Sequence, residues 1–268
     1  GAVNMGPLYV DYTIIKEKNN KLGFDLYCVD IYGLLDREKV YTYDDDAERF
    51  TAFQIAVVDW IAQWEHRPGV VHVHDHHTAL IPFMMQHCFA YQHLSGVPTV
   101  LTIHNGQYQG WMGWDKSNYI PAWDTWQWGL LDWSNTINPL ACGVKCADRV
   151  TTVSPSYMEE LTENANGLEQ LFRMERMKCT GILNGIDTQV WDPEKDTYIL
   201  DNFSISDAEA GKQLNKKKLC DDFQLDMEKP LFVYIGRMVG EKAADLLPQA
   251  INDAFSHIGS KMNFLILG

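Results

Sequence analysis

The sequence predicts an α/β protein with two units, each built on a parallel sheet that helices cover on both faces. Short, largely apolar runs that favour buried strands alternate with longer stretches of helical periodicity. The alternation stops in a turn-rich connector and then resumes. The final apolar run stops at Gly268, where a buried strand should still lead into a loop, so we expect a fold that is truncated there.

In the first unit, a hairpin and a long helix are predicted to precede four strands. Residues 8–16 and 22–30 favour strands around an Asn-Asn-Lys-Leu-Gly turn, and helical spacing begins after acidic N-cap candidates at 44–46. The predicted strands that follow are 70–74, 97–103, 149–153 and 179–183. Predicted helices occupy 78–90, end near 141–147 and begin again at Ser154, where Ser156 and Glu159 are expected to form a capping box.

The second unit is predicted to follow a connector at 184–202 that is rich in turn residues. The pattern then repeats as a helix at 214–223, a strand at 231–235, a helix at 242–257 and a strand at 262–267. The boundary is expected between Ile182 and Leu214, and we divide the chain into residues 1–190 and 191–268.

Composition and charge narrow the class of partner. The formal net charge is −14 and the pI is about 4.9, which excludes nucleic acid as the main partner because its phosphates would be repelled. This net charge is compatible with a neutral glucan as partner, and with a small anion that a local cluster of donors holds. No apolar run approaches the roughly 20 residues of a membrane span. The start lacks a signal-peptide pattern and the six cysteines form no CxxC pair, so we expect a cytoplasmic protein without a membrane partner.

A segment at 107–133 follows neither helical nor strand periodicity and is rich in tryptophan. Within 23 residues it holds Trp111, Trp114, Trp123, Trp126, Trp128 and Trp133. These rings could form a platform for sugar rings. Alternatively, they pack a long loop against the rest of the protein, since tryptophan buries a large area. We favour packing.

Four histidines stand within six residues at the end of the strand predicted at 70–74, in the sequence His-Val-His-Asp-His-His. In a metal site, His72 and His74 would project to one face and Asp75 or His77 would complete the ligands. In a polar ligand site, Asp75 and His77 would lie at the carboxyl end of a parallel strand, where open α/β sheets bind ligands. Alternatively, backbone groups simply satisfy the imidazoles. We favour the polar site, because tight metal sites usually draw ligands from distant segments.

Two further strand ends carry polar side chains. His104 ends the next apolar strand and precedes an Asn-Gly turn, so it should point into the same crevice as Asp75, given that sequential strands often neighbour one another. Asn184 ends the strand at the predicted boundary between the units. Its amide could bond to a sugar hydroxyl, or it could only terminate the strand in an Asn-Gly turn.

A pair of cations follows the strongest strand of the second unit. Arg237 stands at the strand end and Lys242 is predicted to open the next helix, with Gly240 in the turn between them. Helix amides favour anions, arginine can bind two phosphate oxygens, and lysine adds a point charge, so this turn could cradle a diphosphate. The alternative is a solvated turn in which Lys242 pairs with Glu241 or Asp245.

Taken together, these blocks resemble the bacterial and plastid glycogen/starch synthases. The similar pieces, in the family's order, are HVHDHHTALIP (72–82), TIHNGQYQG (102–110), ADRVTTVSPSYMEEL (147–161), GILNGIDTQVWDPEKD (181–196) and GRMVGEKAADLL (236–247), with YTYDDDAERFTAF (41–53) as a weaker match. The resemblance implies a GT-B architecture of two Rossmann-like domains, with the acceptor-side domain at 1–190, the donor-side domain at 191–268, and the active site in the cleft. It also implies glucosyl transfer with retention from ADP-glucose to the non-reducing end of an α-1,4-glucan, without a metal or other cofactor.

The resemblance also implies roles for single residues. Arg237 and Lys242 would bind the donor diphosphate and stabilise its departure. His104 would contact the transferring glucose near its reacting carbon, and Asp75 would lie beside the sugar and the acceptor. Two contacts complete the set, with Asn184 binding sugar hydroxyls and Tyr43 touching the acceptor.

Several departures from the family pattern matter. The early Lys-Thr-Gly-Gly loop and the later glutamate motif are absent, so we expect a chain that is truncated at both ends and inactive by itself; glucan elongation by the 268 residues would contradict this. Ala243 replaces a common glycine and His76 replaces a common tryptophan. UDP-glucose as donor remains an alternative. So do a metal-dependent hydrolase built on residues 72–77 and a non-catalytic glucan-binding module that uses the tryptophan-rich segment.

Overall fold

The computed structural model describes residues 1–268 except for the side chain of Glu241. The chain forms two compact units, Gly1–Asn184 and Gly185–Gly268. The boundary falls at 184/185, whereas the sequence led us to divide the chain at 190/191. Residues 185–190 are all exposed, so no buried side chain among them ties this segment to the first unit.

The first unit contains most of the regular elements. Its strands are β1 (Ala2–Met5), β2 (Leu8–Asp11), β3 (Thr13–Glu17), β4 (Leu26–Asp30), β5 (Val71–His74), β6 (Thr99–Ile103), β7 (Asp132–Trp133), β8 (Thr136–Ile137), β9 (Arg149–Thr152) and β10 (Cys179–Gly181). Its α-helices are α1 (Asp46–Ala62), α2 (Ile81–His87), α3 (Trp128–Leu131), α4 (Pro139–Cys146), α5 (Pro155–Glu160) and α6 (Glu169–Met174). Short 3-10 helices cover Phe89–Leu94, Trp114–Tyr119, Thr125–Gln127 and Arg176–Lys178.

A four-stranded parallel sheet, in the order β10-β9-β6-β5, forms the centre of this unit. Val73 pairs with Leu101 and Leu101 with Val150, and all three side chains are buried. Ile55 of α1 and Phe83 of α2 are fully buried in the same core. The four predicted strands are confirmed. Because parallel strands end at one edge of a sheet, the residues that follow β5 and β6 become neighbours.

The N-terminal region differs from the prediction. The strand expected at 8–16 is split into β2 and β3 by Tyr12, whose buried ring brings its hydroxyl to donate a 2.6 Å hydrogen bond to Asp59. β2 pairs with β1 in an antiparallel hairpin that we did not predict, and β3 pairs with β4 as expected. The β1–β2 turn uses Gly6 at φ +62°, a conformation that glycine adopts without strain.

The capping box predicted at Ser156 and Glu159 is wrong. The hydroxyl of Ser154 accepts a 2.9 Å hydrogen bond from the Tyr157 amide and caps α5, which begins at Pro155. Glu159 instead pairs with Arg176. Proline is favoured in the first helical turn, so Pro155 sets the start of the helix and makes Ser154 the cap.

The second unit has two parallel strands, β11 (Leu231–Ile235) and β12 (Asn263–Leu267), with α7 (Ala208–Phe223) and α8 (Leu247–Ile258). Both strands were predicted. Helix α8, however, begins five residues later than the predicted start at Lys242, which lies instead in a 3-10 turn, Gly240–Lys242. The turn at Lys242 is therefore not the N-terminus of the long helix.

Candidate functional site

The carboxyl ends of β5 and β6 bring Asp75 and His104 together. The carboxylate of Asp75 accepts a 2.7 Å hydrogen bond from the His104 amide, and the Asp75 amide donates to the Thr102 carbonyl at 2.9 Å. Asp75 has φ +53°, a left-handed conformation that aspartate tolerates better than most residues. The carboxylate is thus fixed against the β6 backbone, while the His104 ring is exposed at the sheet edge.

A chain of polar side chains crosses the sheet beside this pair. The His72 imidazole lies 2.7 Å from the Thr102 hydroxyl, which lies 2.6 Å from the Thr151 hydroxyl. His74 Nδ1 lies 3.2 Å from His104 Nε2, with the two rings stacked at a centroid distance of 5.4 Å. Partial burial, and then the neighbouring His72 and His104, lower the pKa of His74. The His74 ring is therefore neutral near pH 7, which suits a hydrogen bond shared with His104.

The other two histidines of the run turn inward and pack. The His77 ring meets Phe50 edge-on at 4.5 Å, and His76 lies 3.7 Å from His77. Burial lowers the pKa of His76 to about 4, with a smaller contribution from His77. Gly110 lies so close that an added Cβ would stand 2.7 Å from the His76 ring. His77, predicted to line the polar site with Asp75, is therefore a packing group.

A metal site at residues 72–77 finds no geometric support. Among the residues that the structure describes, no three His, Cys, Asp or Glu side chains converge in a way that could hold a metal ion. His72 and His74 do share a face, as the strand alternation predicts, but they bond to Thr102 and His104. His76 and His77 contact Phe50 instead.

Buried amides hold the loop that follows His104. The Gln109 side chain, 1% exposed, donates to the carbonyls of Gly106 (3.0 Å), Ala165 (3.0 Å) and Asn166 (3.1 Å) and accepts from Asn138 at 2.8 Å. Asn138 in turn caps α4. From α5, the Tyr157 hydroxyl accepts a 2.9 Å hydrogen bond from the Gly106 amide. The loop that carries His104 is thus tied to two helices, a support that we did not predict.

Tyr43, the predicted acceptor contact, is held between two guanidinium groups. Arg37 and Arg49 lie 5.1 Å and 4.7 Å from its ring centroid. Its hydroxyl accepts a hydrogen bond from the Lys39 amide at 3.0 Å. Arg49 is 2% exposed, pairs with Asp46 and donates to the Leu34 carbonyl at 2.6 Å. The sequence signal we missed is Arg49, a buried cation that orders this segment.

Asn184 is the last residue of the first unit and lies in an exposed stretch. The strand predicted to end beside it stops earlier, as β10 ends at Gly181 and the last sheet-like contact is the Ile182 amide donating to the Thr152 carbonyl at 2.8 Å. Asn184 thus lies beyond the strand end, and its role stays a prediction.

In the second unit, the turn after β11 carries Arg237 and Lys242, and both side chains are exposed. The Tyr234 hydroxyl lies 3.3 Å from the Arg237 carbonyl and 3.1 Å from the Lys242 carbonyl. Ala243 follows with φ +55°, where the family commonly has glycine. The turn places both cations on one loop, without the helix N-terminus that we expected to assist them. The alternative, in which Lys242 pairs with Glu241, involves a side chain outside the part of the chain that the structure describes.

The tryptophan-rich segment divides between the two interpretations. Trp114 donates to Asp132 and Trp133 to the Gly167 carbonyl, each at 2.9 Å, and Trp123 packs on Phe83 at 5.5 Å. These three rings hold the loop in place. The other three are exposed, Trp111 by 50%, Trp126 by 91% and Trp128 by 56%.

Comparison with known proteins matches this architecture to one family. A model of the starch synthase catalytic domain family matches residues 2–174. This range includes both strand ends, with Asp75 and His104. The chain belongs to the starch synthase catalytic domain family. Its α/β fold, of the GT-B class, is the one that the sequence predicted.

Individual relatives agree with this assignment. A glycogen synthase from Flavobacterium johnsoniae is 52% identical over all 268 residues and 57% of its own length, and one from Streptococcus uberis is 36% identical over 90% of this chain and 51% of its own. The catalytic domain of starch synthase IV from Arabidopsis thaliana, bound to ADP and acarbose, superimposes with a TM-score of 0.86 and 26% identity, covering 100% of this chain and 56% of that one. The chain spans about half the length of these relatives. Among its described residues, no helix is long and apolar enough to cross a membrane.

Proposed function

We propose that the full-length protein carrying this chain is a glycogen or starch synthase. It would transfer glucose, with retention, from ADP-glucose to the non-reducing end of an α-1,4-glucan. The observation that carries this proposal is the family match over residues 2–174, in which the structure joins Asp75 to His104 at one sheet edge. The synthase relatives, and the plant enzyme bound to ADP and acarbose, support the same substrate classes.

In the first unit, His104 and Asp75 would face the transferring glucose. The His104 ring is exposed and its backbone is held by Asp75, so its position is set before a substrate arrives. An imidazole can exchange hydrogen bonds with sugar hydroxyls, and the contact between His104 and His74 orients the ring for this. Asn184 and Tyr43 would add contacts to sugar hydroxyls and to the acceptor.

In the second unit, Arg237 and Lys242 would bind the diphosphate. The bond from the anomeric carbon to the diphosphate breaks as the bond to the acceptor 4-hydroxyl forms, and the proton of that hydroxyl leaves with the diphosphate or passes to solvent. Two cations stabilise the charge that develops on the departing oxygen, so the step calls for neither a metal nor another cofactor. ADP-glucose as donor and a cytoplasmic location stay predictions, and UDP-glucose stays the alternative donor.

The deciding experiment is a transfer assay with glycogen and either ADP-glucose or UDP-glucose, on the full-length wild-type protein and on its Lys242→Ala and His104→Ala variants. Removal of a charge contact to the leaving group, or of a group at the reacting carbon, should each lower kcat/KM by roughly a hundredfold or more. Circular dichroism confirms that the variants are folded. Transfer from neither donor by the wild type would defeat the proposal. If the protein then still bound amylose, and Arg237→Ala did not change that binding, a glucan-binding module would be favoured.

A further inference from the structure

The turn that carries the two cations is closed by one hydroxyl from the preceding strand. Tyr234 lies in β11, and its hydroxyl reaches forward to the Arg237 carbonyl at 3.3 Å and the Lys242 carbonyl at 3.1 Å. The two carbonyl oxygens, one from Arg237 and one from Lys242, share the single proton of this hydroxyl. The distance between the two backbone sites is therefore set through a single side chain.

Backbone hydrogen bonds within the turn are short-range. The Val239 amide donates to Arg237 at 2.9 Å, Lys242 to Val239 at 3.0 Å, and Ala243 to Gly240 at 2.8 Å. Such bonds curl the backbone locally and join residues that are close in sequence. Tyr234 differs, because its Cα belongs to a strand that pairs with β12 over five residues.

The hydroxyl of Tyr234 is the second feature that points to a role in the turn. Tyr234 is partly buried, and its hydroxyl lies beside Gly236, where an added Cβ would make ordinary van der Waals contact with it at 3.4 Å. Phenylalanine would place the same ring here without a polar atom, so the two carbonyl contacts of the hydroxyl are what distinguishes tyrosine at this position.

We propose that Tyr234 is a positioning residue that holds Arg237 and Lys242 at the spacing a diphosphate requires. This inference rests on the proposed function, which assigns the diphosphate to these cations. A turn that is ordered before binding loses less conformational freedom when the anion arrives, so the hydroxyl raises affinity for the nucleotide sugar without touching it.

The structural half of this proposal is tested by hydrogen exchange on Tyr234→Phe, with Tyr198→Phe as control, because Tyr198 lies in the same unit and is 97% exposed. The amides of Val239, Lys242 and Ala243 should exchange roughly three- to tenfold faster in Tyr234→Phe, as expected for the loss of one hydrogen bond. The β11 and β12 amides, and the whole of Tyr198→Phe, should match the wild type. Unchanged exchange in the turn would overturn the proposal.

The functional half is tested by kinetics of the full-length protein. In Tyr234→Phe, the KM for ADP-glucose and the inhibition constant of ADP should rise roughly three- to tenfold, while the KM for glycogen and the melting temperature stay unchanged. A general loss of folding would move both KM values together. If the wild type transfers glucose and the variant binds donor equally well, the positioning role is wrong. If the wild type transfers from neither ADP- nor UDP-glucose, the proposed function fails and the diphosphate role with it. The exchange data then still test whether Tyr234 orders the turn.

Discussion

The imidazole of His76 is held in its neutral form by its surroundings. Its Nδ1 is buried without a hydrogen-bond partner among the described residues, and burial lowers its pKa to about 4. Above pH ~6.5 the ring is neutral in both the folded and the unfolded chain. As the pH falls from ~6.5 towards 4, the unfolded chain takes up a proton that the folded chain refuses, so stability is lost.

His76→Phe should therefore flatten the acid side of the stability profile. The wild type should lose about 3 kcal/mol from this group between pH 6.5 and pH 4, and the variant should not. Urea unfolding at several pH values measures this, with His66→Phe as an exposed control that keeps the wild-type slope. An unchanged slope in His76→Phe would show that burial of this ring does not govern acid stability.

Ala243 is strained at the end of the cation turn, because an alanine in the left-handed region costs about 1–2 kcal/mol. Ala243→Gly should stabilise the second unit by up to ~1 kcal/mol, after the greater freedom of glycine in the unfolded chain is subtracted. The neighbouring Ala244 does not have a positive φ, so Ala244→Gly should destabilise by ~0.5–1 kcal/mol. Hydrogen exchange of the paired amides of β11 and β12 reports both changes. Effects of the same sign in the two variants would contradict this assignment of strain.

At the scale of elements, the loop between β6 and α4 depends on one buried amide. Gln109→Leu would leave the carbonyls of Gly106, Ala165 and Asn166, and the side-chain amide of Asn138, without this partner. We expect a loss of about 2–4 kcal/mol.

Gln107 supplies a matched control two residues away, because its side chain is exposed. Gln107→Leu should change the free energy of unfolding by less than about 0.5 kcal/mol. Denaturant unfolding of the two variants beside the wild type gives the comparison. Equal losses would mean that added apolar surface, rather than the buried network, accounts for the effect.

Element boundaries show where sequence reasoning succeeded and where it failed. The strands β5, β6, β9 and β11 were predictable because each is a short run that contains β-branched residues and lies between turn signals. The start of α8 was misplaced, although Pro248 lies in its first turn and marks it. The predicted start of α5 at Ser154 agrees with the structure, and only the choice of capping residues there was wrong. Ser156 and Glu159 have the spacing of a capping box, but Ser156 follows Pro155 and lies inside the helix, so it is not the N-cap.

At the scale of the molecule, local patterns predicted residues that meet through adjacent strands but not those that meet through side chains. Asp75 and His104 follow consecutive parallel strands, so their proximity follows from topology. The contacts of Gln109 with Asn138 and Ala165 depend on how a loop and two helices pack, which has no periodic signature. The inward turn of the histidines at 76 and 77 likewise depends on Phe50, a residue of a different element.

The net charge of −14 should repel an anionic donor, whereas the exposed cations should attract it. Which effect is larger depends on the distance over which each one acts. At ~0.1 M salt, charges beyond about 10 Å are largely screened, so the overall repulsion is already weak. The proposed contacts of Arg237 and Lys242 with a diphosphate would act at short range, and further salt would weaken them because both side chains are exposed. In the full-length protein, raising NaCl from ~0.1 to ~0.5 M should therefore increase the KM for ADP-glucose severalfold and change the KM for glycogen, a neutral polymer, less than about twofold. A fall in the donor KM with salt would mean that long-range repulsion dominates, and equal shifts for both substrates would mean that neither cation contacts the donor.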